Sequence, residues 1–92
     1  MKIPTKELFK QWLKQEKPSL EGLYSVLEFY RFLGGKKVYL KDMTFNKTYR
    51  KWLRDVLEPF YHKIIVPNLK EFNFRSVMIG RHGKPSHFLL NH

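Results

Sequence analysis

The sequence predicts an α+β fold, three or four helices followed by a C-terminal β-hairpin, in a single domain spanning residues 1–92. Three observations predict it. Apolar residues recur at helical spacing along most of residues 5–65. Two apolar segments then flank the Gly- and Pro-bearing stretch GRHGKP, residues 80–85. Twelve Leu, eight Phe, five Tyr and two Trp supply a core of large side chains, with no Ala at all. At this length folding buries roughly 60–65% of the unfolded surface, so the core has to be rich for its size.

Thr5 is a good N-cap for the first helix. Leu8, Phe9, Trp12 and Leu13 share one face and Lys6, Lys10 and Lys14 the other. Pro18 disfavours helical geometry at Lys17, so this helix ends near Glu16. Ser19 is the expected cap of a second helix reaching Leu33, apolar nearly all round and therefore central. Gly34-Gly35 stops it, because glycine adopts the left-handed C′ conformation cheaply. KKVYL, residues 36–40, reads as a short strand or an extended connector.

Phe45, Tyr49, Trp52, Leu53, Val56 and Leu57 form a clean 3.6-residue seam for a third helix, from an N-cap at Thr44 to about Glu58. Pro59 then kinks this helix or, better matched to Phe60, Ile64 and Ile65, opens a short fourth one that Pro67-Asn68 ends. Phe72, Phe74, Val77 and Ile79 make one arm of the hairpin, and Phe88, Leu89 and Leu90 the other.

The net charge of +10 narrows the functional classes. Residues 34–54 hold seven Lys or Arg against one acid, Asp42. If 44–58 is helical, Lys47, Arg50, Lys51 and Arg54 form one band opposite the apolar seam, with Asn46 and Thr48 beside it. A face that only keeps a helix wet usually mixes signs, whereas this one does not. Arg and Asn suit base edges, and Lys and Thr suit phosphates. Lys36, Lys37 and Lys41 extend the patch, and Arg81 and Lys84 sit at the hairpin tip with His82.

A basic helix followed by a basic hairpin resembles, in outline, a winged-helix protein whose wing touches the DNA backbone. The resemblance lies in element order rather than motif. It implies DNA contact through both elements. Residues 59–72 make a longer connection between them than a compact winged helix uses.

The expected function is therefore a small, non-enzymatic nucleic-acid-binding protein, with DNA ahead of RNA. The alternative is a protein-interaction module or inhibitor docking the same patch on an acidic protein surface. A small nuclease built from His62, His82 or His87 with a Lys ranks third, since no HExxH or carboxylate pair accompanies these histidines. No cofactor is expected, there being neither GxGxxG nor a P-loop, and the absence of Cys removes thiolate metal sites.

The longest aliphatic run, Ile64-Ile65-Val66, is far short of the ~20 residues of a membrane span. The N-terminus lacks the apolar core of a signal peptide. A cytoplasmic or nucleoid-associated protein is expected, with a homodimer plausible if one face of the 19–33 helix stays uncovered.

Overall fold

The computed structural model describes residues 1–16, 23–36, 47–72, 74–79 and 85–90. The architecture is α+β, mostly helical with a small antiparallel sheet. The start of the second predicted helix, residues 37–40 of the KKVYL connector, the Thr44 cap and residues 80–84 of the hairpin turn lie outside the described residues.

Helix α1 spans Lys6–Gln15. As expected, Thr5 caps it: the Leu8 N–H donates to Thr5 Oγ1 at 3.1 Å. Its C-cap is Glu16, already extended at φ −87°, ψ 144°, so the helix ends where the sequence places its end. Phe9 and Trp12 are fully buried.

The next element corrects the sequence reading. Leu23–Ser25 is a strand, β1, and only Val26–Phe32 is helical, as α2, with Ser25 at the N-cap. A run that is apolar on every side carries no periodicity to separate strand from helix. Pairing with a distant strand decides it here. At the other end the Gly-Gly stop holds. The Gly34 N–H bonds to Arg31 O at 3.0 Å and the Gly35 N–H to Tyr30 O at 2.9 Å, the paired bonds of a Schellman cap, with Gly34 at φ 102°. Gly35 has a second reason to be glycine, because a Cβ there would overlap the Tyr30 ring.

Residues 47–72 form one unbroken helical run. It comprises α3 (Lys47–Trp52), a π-helical stretch (Leu53–Leu57), α4 (Glu58–Phe60), a second π-helical stretch (Tyr61–Ile65), a 3-10 turn (Val66–Asn68) and α5 (Leu69–Phe72). Pro59 stands in the first turn of the short α4, as the preferred reading had it, whereas the expected stop at Pro67-Asn68 is overturned because the run continues into α5. Backbone angles at the described junctions remain right-handed helical throughout. A proline ring clashes with the carbonyl four residues back, and a widened turn relieves that clash. The residue before each proline accordingly bonds five back: the Glu58 N–H to Leu53 O, and the Val66 N–H to Tyr61 O. Phe72, expected in a strand, ends this run.

Strands β2 (Phe74–Ile79) and β3 (Pro85–Leu90) pair antiparallel, as the hairpin reading requires. The strand order is β1-β3-β2. Phe88 therefore sits mid-sheet, opposite Tyr24 on one side and Val77 on the other, and is fully buried.

The core is an aromatic cluster centred on Phe9. Its ring lies 5.2 Å from Phe29, 5.7 Å from Phe60, 4.9 Å from Phe72 and 5.2 Å from Phe88, all edge-to-face. One residue of α1 thus meets α2, both halves of the long run and the sheet.

An exposed clamp closes the same junction. Lys6 Nζ reaches Glu71 Oε2 at 2.8 Å, and Lys10 holds the other carboxylate oxygen. Hydrogen bonds from Lys10 and Lys6 lower the Glu71 pKa below its usual 4.5. A depressed carboxylate pKa adds stability above the unfolded value and loses it as pH falls through the folded one. Glu71→Gln should therefore lower the melting temperature slightly at pH 7, with the difference from wild type closing below about pH 4. A gap unchanged between pH 7 and pH 3 would show that the clamp's charge contributes nothing.

Candidate nucleic-acid interface

The helix anchors and the basic band are two faces of one stretch. Trp52, Leu53 and Leu57 are buried and fix the run against the core. Tyr49 stacks on Trp52 at 6.1 Å and 15°, and Tyr30 meets it at 4.9 Å and 65°. Burial, with Tyr30 contributing, pushes the Tyr49 hydroxyl up to about 12, so it stays neutral.

With that face inward, Lys47, Lys51 and Arg54 are exposed and Arg50 is half-buried. Lys47 to Lys51, Arg50 to Arg54 and Lys51 to Arg54 are helical neighbours by spacing. The four span eight residues, about 10 Å of helix axis. These four predicted site residues are brought together. Lys36 is exposed just beyond the α2 cap. Lys37, Lys41, Asn46, Arg81 and Lys84 lie outside the described residues.

Sequence reasoning missed one neighbour of the band. Arg54 Nε donates to Asp55 Oδ1 at 2.9 Å, while the Arg54 side chain remains 73% exposed. This hydrogen bond raises the Arg54 pKa and lowers that of Asp55, to which Lys51 also adds attraction. The guanidinium thus keeps its outer nitrogens toward solvent, at the cost of a counter-charge beside the band. Asp55 was legible as an acid within the helix, but nothing in the spacing shows which way its carboxylate turns.

Two of the four histidines, His62 and His87, lie among the described residues. His62 is exposed, with Nε2 4.0 Å from Glu58 Oε1, and His87 is half-buried in β3. His82 and His92 lie outside the described residues. Among the described residues there is no group of His, Cys, Asp and Glu able to hold a metal ion. Nor is any of their helices long and apolar enough to cross a membrane.

An open, mostly polar recess of about 460 Å³ lies between α1 and α2, bordered by Trp12, Glu16, Glu28 and Arg31. Arg31 and Glu28 pair across one turn at 3.3 Å. Among the described residues, neither the buried Trp12 Nε1 nor Trp52 Nε1 has a hydrogen-bond partner.

No protein-family model, no curated protein and no solved structure matches this chain.

Proposed function

We propose that this chain is a small, non-enzymatic, basic nucleic-acid-binding protein, with DNA ahead of RNA, that contacts phosphates through the helical band at 47–54. The observation that carries the reading is the band itself: Lys47, Lys51 and Arg54 exposed, Arg50 at their side, on a helix whose opposite face is locked by Trp52, Leu53 and Leu57. Rigid placement matters because phosphate contacts position a protein on nucleic acid as well as hold it there. The hairpin joining β2 to β3 would bring Arg81 and Lys84 as a second contact, which completes the winged-helix-like outline of three or four helices and a wing. Lys36, Lys37, Lys41 and Asn46 extend the patch in the same proposal. The protein acts in the cytoplasm or on the nucleoid, and without a cofactor.

The test is binding of the full chain to random-sequence duplex DNA and to heparin as a function of salt. Arg54 is partly neutralised by Asp55, so the band alone releases about three charges, giving a log–log slope of at least about −3 and binding at least about 40-fold weaker at 200 mM than at 50 mM salt, steeper where the hairpin tip and the residues before the helix also make contact. Salt-insensitive or undetectable binding, with one cellular protein retained after nuclease treatment, would overturn it in favour of an acidic protein partner.

A further inference from the structure

We infer that the ligand of the basic face is double-stranded, B-form DNA held by its phosphates, and not a single strand. This rests on the nucleic-acid reading above and adds the form of the ligand.

Single-strand binders combine a positive groove with aromatic rings on which bases stack. The basic band has aromatics at its edge, but their packing commits them elsewhere. Trp52 and Tyr30 are each only 3% exposed. Tyr49, the ring nearest the surface, stacks on Trp52 and is met by Tyr30 on the side of α2. Freeing Tyr49 to stack on a base would open the contact between α2 and α3. Among the described residues the rings beside the cations are thus structural, and what they leave for a ligand is charge.

The charge is arranged for a regular, rigid partner. Four cations lie along about 10 Å of one helix axis, and a duplex presents one phosphate per about 3.4 Å of its own axis on each strand. A helix with side chains is about 10–12 Å across, and the major groove of B-DNA is about 12 Å wide. The A-form major groove is deep and narrow, so duplex RNA does not admit such a helix. A flexible single strand offers no fixed spacing, and its lower charge density releases fewer counterions per contact.

The experiment titrates the full chain, at about 0.1 M salt, against a 20-base-pair DNA duplex, one of its strands alone, the RNA duplex of the same sequence, and heparin. Counterion release alone favours the DNA duplex over the single strand by about 4-fold for three contacts, and a difference at least that large is expected. Tryptophan emission should be unquenched on binding, since neither indole is open to a base. Equal or tighter binding of the single strand, or quenching by it, overturns the duplex assignment and leaves the nucleic-acid reading standing. Equal binding of the RNA duplex overturns the B-form assignment alone. Failure of all four probes to bind removes both readings together.

Discussion

Phe9→Ala is expected to lower the melting temperature by roughly 15–30 °C, the largest effect of any single truncation in α1. The ring is fully buried and touches aromatic side chains from α2, α4, α5 and β3 at once. Truncating a buried Phe costs about 3–5 kcal/mol, part transfer and part cavity. The cavity part should be at the upper end here, because large rings on several elements cannot all move inward together. Each kcal/mol shifts the midpoint by about 4–8 °C in a domain of this size. Phe32→Ala is the matched control: that ring is half-buried and, among the described residues, stacks at 6.4 Å on Phe29, so about half the loss is expected. Thermal melts followed by circular dichroism make the comparison. A Phe9→Ala shift no larger than that of Phe32→Ala would show that Phe9 is not the hub of the core.

Lys47→Glu combined with Lys51→Glu is expected to weaken duplex DNA binding by about 100-fold or more at 0.1 M salt. These two sites are chosen over Arg50 and Arg54 on structural grounds. Arg50 is half-buried and Arg54 is engaged by Asp55, so changing either disturbs more than the ligand contact. Each lost phosphate contact removes about 0.9 log units at this salt, and two new anions add repulsion. Both positions are exposed, and surface substitutions of this kind usually change stability by no more than about 0.5 kcal/mol. Circular dichroism should therefore be unchanged while binding is lost. Asp55→Asn moves the opposite way: it frees Arg54, and the salt slope should steepen by about one. Full DNA retention by the folded double mutant would end the case for this face.

The parts of this fold that the sequence shows best are those with local causes. Thr5 caps α1 through its own hydroxyl, and Gly34-Gly35 closes α2 through backbone freedom, with no distant residue needed. The basic band was legible for the same reason, since Tyr49, Trp52 and Leu53 set the seam that Lys47, Arg50, Lys51 and Arg54 avoid. What was not legible depends on remote partners. Leu23–Ser25 became a strand because β3 lies beside it, and its pattern alone reads as helix. Pro67 is a strong stop signal that a widened turn absorbs, and the apolar face on either side is worth more than the break. The ion pair between Arg54 and Asp55 is a matter of rotamers, which no spacing rule reaches.

The position of Phe9 also sets when this protein can fold during its synthesis. Phe9 leaves the ribosome long before Phe72 and Phe88, the rings that complete its pocket. At about 5–20 residues per second, the interval between Phe9 and Phe88 is about 4–16 s. Through that time the apolar face of α1, with Trp12 beside Phe9, has no sheet to cover it. Closure of the core therefore waits for β3, whose pairing beside β1 brings Phe88 against Phe9.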